Sequence, residues 1–225
     1  MKLFEDDVVI LAGGTGRVGG ASVKVLSDAG ARVVVVSRSV VDLADTRATA
    51  DFVEQTATKY GRVDAIVNLA GRGKFVALTE STVDDLRLNL EAFVVTAYNL
   101  TIAGLRQMLT QEYLPGRRSR GHIVTVTAGS SRDPQPRFGL FGAAKAGVNT
   151  LMRAIAREHK ADGIVANAVV LGGVATEAAR SYLSPEDFAA AASPDEVARV
   201  LAFLASPASD GINGELVDLN ARESD

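Results

Sequence analysis

Short apolar runs alternate along the chain with longer stretches in which apolar residues recur at helical spacing. Six of these runs follow a glycine or a polar turn and are predicted to be strands. Strands that alternate with helices predict an α/β fold, in which a doubly wound parallel sheet carries helices on both faces. The predicted strands cover residues 7–11, 32–37, 65–69, 122–127, 165–170 and 215–219.

A glycine-rich turn at residues 13–19 joins the first predicted strand to a helical pattern that ends near Gly30. A second predicted strand follows, and strand, glycine turn, helix and strand together are typical of units that bind dinucleotides. Glycines permit a tight turn and a close approach to a pyrophosphate, which N–H groups at the helix start would face. The spacing of Gly13, Gly16 and Gly19 fits this geometry, and a glycine-rich turn without a ligand is the alternative interpretation.

Composition narrows the class of protein. The 225 residues are 47% hydrophobic and 23% charged, which predicts one soluble globular domain over residues 1–225. The net charge of −3 gives no electrostatic reason to expect nucleic-acid binding. We also expect no membrane segment, because the apolar runs are too short to span a bilayer, and no signal peptide leads the chain. The expected compartment is the cytoplasm.

The residues that most often bind metals or act as nucleophiles are scarce. The chain has no cysteine, which excludes disulfides, thiolate catalysis and cysteine-based zinc sites. Its two histidines, His122 and His159, are far apart in sequence, which argues against a histidine metal site or a serine–histidine triad. We therefore expect no bound metal. The arginines of the segment 115–121 are candidates for an anion site, although a solvated surface turn is the simpler interpretation.

Two helix starts are marked by capping residues near the end of the chain. Ser184 precedes Pro185, which suits the first position of a helix. Ser193 lies three residues before Glu196, as in a capping box. The segment between Thr176 and the helix start at Ser184 is short, which predicts an open substrate cleft.

Several motifs resemble those of the short-chain dehydrogenase/reductase family over nearly the whole chain. The glycine turn, the Asn68-Leu69-Ala70-Gly71 turn and the surroundings of Lys145 carry this resemblance. It implies a single Rossmann-type domain that commonly forms a homodimer or homotetramer. It also implies catalytic roles for Asn89 and Lys145, which match two members of the family's catalytic tetrad.

The resemblance further assigns the cofactor-binding positions. Asp42 matches the acidic residue that meets the adenine ring, and residues 171–176 match the segment beside the nicotinamide, with Leu171 in place of a proline. The positions expected to bind the cofactor are Gly13, Thr15, Gly16, Arg17, Val18, Gly19, Ser37, Arg38, Asp42, Leu43, Asn68, Ala70, Gly71, Lys145, Gly172 and Thr176.

The chain departs from the family at both catalytic hydroxyls. Phe141 stands where the family has its catalytic tyrosine, four residues before Lys145, and Ala128 stands where it has its serine. Phenylalanine has no proton to donate. Loss of a general acid typically lowers a rate by about 10²–10⁴-fold, so ordinary carbonyl reduction is not expected. Ser130 and a deprotonated Lys145 are the alternative proton-transfer groups that the sequence offers.

The chain is also shorter than a typical family member between the second strand and Asp42. Only three residues separate Arg38 from Asp42, whereas a parallel crossover needs a dozen or more. A helix and a strand are therefore missing there. The remaining six strands are expected in the order 2-1-3-4-5-6, with the second strand at an edge of the sheet.

The end of the second strand determines the expected cofactor. In the family an acid at this point binds the ribose 2′-hydroxyl and selects NAD. This chain has Ser37 and Arg38 there, and Arg17 lies in the glycine turn. Both arginines suit a 2′-phosphate, which favours NADP(H), although both are also ordinary surface residues.

Three functions remain open on the sequence alone, and the substrate is unknown in each. The first is an NADP(H)-dependent oxidoreductase with an altered proton donor. The second is a cofactor-binding or regulatory subunit without dehydrogenase chemistry, and the third is a non-redox enzyme, such as a cyclase or dehydratase, that reuses the cleft. The alternative to a functional role for Asn68 and Asn89 is a structural role. For Lys145, the alternative to proton transfer is binding of the nicotinamide ribose. Residues 81–109 and 141–159 are broadly apolar helical stretches that predict a subunit interface or core.

Overall fold

A computed structural model describes residues 3–181 and 184–219 of the chain. Six parallel strands form one sheet in the order β2-β1-β3-β4-β5-β6. This order and the α/β class are as the sequence predicts, and each predicted strand is found with bounds shifted by one or two residues at most. The strands are β1 (Val8–Ala12), β2 (Arg32–Val36), β3 (Ala65–Asn68), β4 (Gly121–Ala128), β5 (Ile164–Leu171) and β6 (Leu216–Leu219).

Helices pack on both faces of the sheet. A π-helical segment, Leu90–Val95, joins two of them into one continuous helical stretch. The helices are α1 (Arg17–Asp28), α2 (Thr46–Tyr60), α3 (Val83–Asn89), α4 (Thr96–Leu109), α5 (Gly139–Glu158), α6 (Pro185–Ala190) and α7 (Pro194–Leu204).

The central strands are apolar on both faces because each face is covered. In β1, the side chain of Ile10 belongs to the core beneath α2, α4 and α5, and that of Leu11 belongs to the core beneath α1 and α7. Ile10 lies opposite Val34 of β2 and Ile66 of β3 in the parallel register. This two-sided burial explains why the central strands are nearly continuous runs of apolar residues.

Capping residues mark several helix ends, and those predicted at Ser193 and near Gly30 are confirmed. Asp45 caps α2 by accepting hydrogen bonds from the N–H groups of Arg47 and Ala48. Ser193 and Glu196 form the predicted capping box of α7. Gly30 follows Ala29, the C-cap residue of α1, and has a φ of +101°, a conformation that glycine adopts without strain.

The chain passes from β2 to α2 through a short loop, residues 37–45, as the sequence predicts. One helix, α2, therefore makes the whole crossover from β2 to β3. Since no strand within residues 3–181 and 184–219 pairs with the outer side of β2, this strand lies at the edge of the sheet.

By length and composition alone, one helical stretch could cross a bilayer. The expectation that no segment is long enough is therefore wrong. The continuous helical stretch Val83–Leu109 has 27 residues, and its most apolar window meets both requirements. Within the fold, 56% of that window is buried. A core helix of a globular protein has these same properties, because its apolar face packs against a sheet.

The arginine-rich segment before β4 is engaged in internal contacts. Arg117 pairs with Asp7 at 3.0 Å, and the guanidinium of Arg120 donates to the carbonyl of Leu109. Arg120 also stacks over the ring of Tyr113. These contacts favour a structural role for Arg117 and Arg120 over the anion site considered from sequence.

Candidate active site

The candidate site begins where two turns meet at the carboxyl ends of β1 and β3. These strands flank the point at which the strand order reverses, which is where open α/β sheets bind ligands. The turn after β1 is so close to the turn after β3 that a Cβ on Gly13 would lie 2.9 Å from the carbonyl carbon of Leu69. Gly13 also has a φ of +83°. Only glycine meets both constraints at this position.

The start of α1 packs directly on the glycine turn. A Cβ on Gly19 would collide with the backbone of Gly13 and Gly14. The absence of side chains therefore lets α1 begin against the turn with its first N–H groups at the sheet edge. Thr15, Gly16 and Arg17 are exposed on this turn, and Val18 is partly buried behind it.

The end of β2 lies beside the glycine turn. The N–H of Gly13 donates to the carbonyl of Val36 at 3.2 Å, which brings the two segments together. Arg38 follows this contact and is exposed, as is Arg17 at the start of α1. Ser37 is partly buried, and its hydroxyl lies 2.9 Å from that of Ser39. Among the described residues, neither Arg17 nor Arg38 forms an ion pair.

The loop after β2 carries the next two predicted cofactor residues, of which Asp42 lies at the surface and Leu43 in the core. Asp42 is exposed, and its carboxylate accepts a hydrogen bond from the N–H of Ala44. Leu43 is 7% exposed, and its side chain belongs to the hydrophobic core. Its carbonyl accepts from the side-chain amide of Asn99 on α4. Only the backbone of Leu43 is therefore placed to line an adenine pocket.

The turn after β3 is held by its own first residue. The side-chain oxygen of Asn68 accepts from the N–H of Ala70 at 2.9 Å, which closes the turn. Gly71 is exposed at its end with a φ of +142°. The structural role that the sequence leaves open for Asn68 is therefore visible, and it shapes the surface that faces the glycine turn.

Asn89 is completely buried at the end of α3. Its side-chain amide donates to the carbonyls of Lys74 and Asp85, at 3.2 and 2.9 Å. Its side-chain oxygen has no hydrogen-bond partner among the described residues and lies directly beneath Gly73. Asn89 therefore ties residues 71–74 to α3, and the π-helical segment begins immediately after it.

Lys145 is buried and has no carboxylate partner within the part of the chain that the structure describes. Its ammonium donates to the carbonyl of Val126 on β4 at 2.8 Å and lies 4.5 Å from the ring centroid of Phe93. Removal from water penalises the charged form of an amine. Burial accordingly lowers the pKa of Lys145 to about 8.

Phe141 lies one helical turn before Lys145 and belongs to a cluster of four phenylalanine rings. We call this set the ring cluster. The Phe141 ring contacts those of Phe93 and Phe75 edge-on, with centroids 5.0 and 5.2 Å apart. Phe138, just before α5, completes it at 4.7 Å from Phe75. An apolar surface therefore occupies the position where the resemblance to the family predicts a phenolic hydroxyl.

The end of β4 offers hydroxyls near Ala128, but on different sides. Thr127 is 1% exposed and, as the neighbour of Ala128 on a strand, projects to the opposite face. Ser130 lies in a single turn of 3₁₀ helix after Gly129. The hydroxyls of Thr127 and Ser130 are buried and have no hydrogen-bond partner among the described residues. Ser130 therefore stays the first candidate to replace a serine at 128, because its hydroxyl is free of protein partners among the described residues and Thr127 projects to the opposite face.

The remaining predicted cofactor residues follow β5. Gly172 is exposed and donates its N–H to the carbonyl of Leu219, while Thr176 is partly buried in the next turn. Both lie at the carboxyl edge of the sheet, the edge that also holds the glycine turn. No group of three or more potential metal ligands is found within residues 3–181 and 184–219.

Comparison with known proteins assigns this fold and site to a family. A family profile described as enoyl-(acyl carrier protein) reductase matches residues 8–221, nearly the whole chain. The chain belongs to the short-chain dehydrogenase/reductase family. This confirms the resemblance seen in the sequence and makes the chain a member of an oxidoreductase family.

Individual members of the short-chain dehydrogenase/reductase family resemble the chain at moderate identity. Acetoacetyl-CoA reductase of Synechocystis is 29% identical over 243 residues, covering 96% of each protein. The NADPH-dependent aldehyde reductase-like chloroplast protein of Arabidopsis thaliana is 26% identical over 202 residues, covering 85% of this chain and 72% of that protein. An NADPH-bound short-chain oxidoreductase of Pseudomonas aeruginosa, described as containing an atypical catalytic center, shares the fold. It superposes with a TM-score of 0.86 at 23% identity and 98% coverage of both chains.

The buried lysine of this family member predicts a pH dependence of stability between about pH 8 and 10.5. In that range the unfolded chain binds a proton at Lys145 that the folded chain has released, so the free energy of unfolding should rise with pH. Lys145→Met removes the buried charge. The variant should be more stable than the parent near neutral pH by up to about 3 kcal/mol. This advantage should shrink as the pH approaches 10.5.

Urea unfolding of both proteins at several pH values measures this difference. Lys160→Met, at an exposed site in the turn just after α5, is the matched control. A stability difference between parent and Lys145→Met that does not change with pH would contradict the prediction.

Sequence reasoning missed three residues of the ring cluster and one polar contact behind it. Phe138 and Phe141 are three residues apart, a spacing that signals one helical face, but nothing in sequence brings Phe75 and Phe93 to them. Asn149, one turn beyond Lys145, donates its amide to the Ser131 hydroxyl at 2.8 Å. The sequence shows that Lys145 and Asn149 lie one helical turn apart, but it does not identify the hydrogen-bond partner of Asn149.

Proposed function

We propose that this chain is an NADP(H)-binding oxidoreductase of the short-chain dehydrogenase/reductase family with an altered catalytic tetrad. Asn89 and Lys145 keep two tetrad positions, and Ala128 and Phe141 replace the two hydroxyls. The observation that carries the proposal is the glycine cradle between the turns after β1 and β3. Side chains at Gly13 or Gly19 would clash with the backbone of these turns, so the two glycines permit the tight turn that brings the first N–H groups of α1 to the sheet edge, where a pyrophosphate would bind.

The residues around the cradle fit NADP(H) better than NAD(H). Ser37, Arg38 and Arg17 supply a hydroxyl and two guanidiniums at the end of β2, where an acid would select NAD. The two exposed arginines have no carboxylate partner among the described residues, which leaves them available to a phosphate. Two of the similar proteins carry NADPH in their descriptions, which is consistent with this choice.

The chain's own groups would bind the cofactor in an orientation set by the sheet edge. Lys145 has two N–H groups beyond its bond to Val126, and these suit the hydroxyls of the nicotinamide ribose. Thr176 and Gly172 would line the other side of the ring. When bound, NADP(H) supplies or accepts a hydride. The groups that would exchange the accompanying proton at the substrate oxygen are replaced in this chain by Ala128 and Phe141.

A second candidate is a cofactor-binding subunit that performs no dehydrogenase chemistry. The ring cluster favours it, because Phe141 packs against three other rings and brings no hydroxyl to the site. Both candidates require NADP(H) binding, and they differ in turnover.

Calorimetric titration with NADPH and NADH tests what the two candidates share. We expect NADPH to bind more tightly than NADH. Equal affinities would contradict the choice of cofactor, and no binding of either dinucleotide would overturn the proposed function. Consumption of NADPH in the presence of a carbonyl panel then separates the two candidates.

We also propose that the chain forms at least a homodimer through its long helices. Leu90, Val95 and Tyr98 are 38 to 46% exposed along the stretch Val83–Leu109, a row of apolar side chains that association would cover. Val95→Arg should therefore shift the mass seen by light scattering from dimer to monomer at micromolar concentration. Val40→Arg, the same substitution at a 59% exposed valine after β2, is the control. A parent protein that is monomeric under these conditions would contradict the proposal.

A further inference from the structure

We infer that the ring cluster is the substrate-binding surface of this site and takes a molecule with an apolar ring and an anionic group. The assignment of this ligand as substrate rests on the proposed function, because a substrate must lie beside the cofactor. The carrying observation is that Phe75, Phe93, Phe138 and Phe141 converge next to Lys145.

The ring cluster is assembled from three separate segments at the carboxyl edge of the sheet. Phe75 lies in the segment after β3, Phe93 in the π-helical segment, and Phe138 and Phe141 at the start of α5. Each ring contacts at least one other with centroids 4.7 to 5.2 Å apart. Tilted and edge-on arrangements of this kind are preferred geometries of aromatic pairs, so the four rings stabilise one another.

Part of the ring cluster is open to solvent. Phe75 is 43% exposed, and Leu78 on the same segment is 64% exposed. Leu78 packs over Gly139, the first residue of α5, and so extends the apolar surface beyond the rings. Large apolar side chains that are exposed together are typical of ligand-binding surfaces.

Polar contacts hold the segment of the exposed Phe75 ring in place against the rest of the ring cluster. The N–H of Val76 donates to the carbonyl of Arg137, which joins the segment of Phe75 to that of Phe138. The amide of Asn89 holds the carbonyl of Lys74, and the Lys74 ammonium pairs with Asp85 at 2.6 Å. Arg137 has a φ of +73°, an uncommon conformation for a residue other than glycine. The surface is therefore built before any ligand arrives.

The charge around the rings favours an anion. Residues 70–80 and 129–138 contain four cationic side chains and two carboxylates, those of Glu80 and Asp133. Lys74 and Arg132 are committed to carboxylates outside these segments, Asp85 and Asp218. Arg72 and Arg137 are exposed and form no ion pair among the described residues. They remain available to a ligand.

The same charges disfavour a cationic ligand. Phenylalanine rings can bind cations through their faces, but the Lys145 ammonium already lies 4.5 Å from the Phe93 centroid and 5.8 Å from that of Phe141. A second cation on these rings would be repelled by Lys145. A carboxylate on an apolar ring meets no such penalty, and Arg72 or Arg137 can pair with it.

Calorimetry with three small probes tests the inference on the full chain saturated with NADP⁺ and on the cofactor-free chain. The probes are 1-naphthoate, the uncharged 1-naphthalenemethanol and the cationic 1-naphthylmethylammonium. We expect naphthoate to bind about fivefold more tightly than the alcohol, as partly screened ion pairs allow, and the ammonium most weakly. High salt should reduce the advantage of naphthoate. Equal binding of all three probes, or tightest binding of the ammonium, would overturn the inference.

Two sets of variants locate the probe. Phe75→Ala should weaken naphthoate binding about tenfold, because it removes apolar contact and ring stacking. Phe203→Ala, at a 38% exposed phenylalanine on α7, should leave it unchanged. Arg72→Gln combined with Arg137→Asn should remove the preference for naphthoate over the alcohol, whereas Arg153→Gln on the exposed face of α5 should not. Equal losses in Phe75→Ala and Phe203→Ala would overturn the assignment of the probe to the ring cluster.

The two proposals fail in different ways. If the parent binds no NADP(H), the proposed function is overturned, and the cofactor-free titrations still show whether naphthoate uses the ring cluster. If NADP(H) binds but naphthoate does not bind in either state, only the inference about the ring cluster fails. Thermal unfolding of each variant verifies that a loss of binding is not a loss of fold.

Discussion

Phe141→Tyr combined with Ala128→Ser is expected to raise the rate of ketone reduction by about 10²-fold or more over the natural chain. The first change adds a phenolic proton donor, and the second adds a hydroxyl that polarises a carbonyl. Lys145 lies 5.8 Å from the Phe141 centroid, so its charge would lower the pKa of a phenol at position 141 and ease proton transfer. The natural chain should show negligible reduction of a panel of ketones at saturating NADPH.

The matched control for this gain is Phe138→Tyr with Ala128→Ser. It adds the same two hydroxyls, but position 138 has no ring contact with Lys145 among the described residues. Each single change should give less than the pair, because the two groups act on one oxygen and their effects are not additive. Strong reduction by the natural chain would mean that another group donates the proton, and Ser130→Ala would test the first candidate. No gain in the double variant despite NADPH binding would favour a non-redox function.

Arg38→Ala is expected to weaken NADPH binding by about 10- to 150-fold, because a charge-assisted hydrogen bond contributes about 1.5–3 kcal/mol. NADH lacks the 2′-phosphate, so its affinity should change little. The contact between Gly13 and Val36 places Arg38 beside the glycine turn, and its side chain is exposed there without a carboxylate partner among the described residues.

Calorimetry of the parent and of Arg38→Ala with both dinucleotides measures the change in NADPH affinity and the change in NADH affinity directly. Arg153→Ala removes an exposed arginine from α5, away from the glycine turn, and should leave both affinities unchanged. The effect of Arg38→Ala on NADPH should also diminish at high salt, since exposed charges are screened. If Arg38→Ala weakened NADH and NADPH equally, Arg38 would contribute to the fold of the turn and not to recognition of the phosphate.

The sequence by itself determined the architecture. Six apolar runs separated by helical patterns predicted the six strands, and the short interval between Arg38 and Asp42 predicted which strand lies at the edge. The capping residues Ser184 and Ser193 marked the starts of α6 and α7. These features were predictable because each depends on neighbours along the chain, through the period of burial and the local hydrogen bonds of a helix end.

The position of the glycine turn was predictable from the sequence, but the contacts that require glycine there were not. Sequence showed glycines between a strand and a helix, which is where a dinucleotide-binding turn belongs. The structure adds that Gly13 faces the backbone of Leu69, a residue 56 positions away, and that Gly19 packs on the turn itself. The first contact joins two loops that are brought together only by the pairing of β1 with β3.

Tertiary structure alone decided the chemical character of the site. Phe141 was predicted as an apolar residue of α5, and only the fold brings Phe75 and Phe93 against it. The lowered pKa of Lys145 has the same origin, because desolvation depends on every segment that excludes water from an amine. Periodicity and capping are local properties that a sequence records, whereas burial and ring packing arise between segments that meet only in the folded chain.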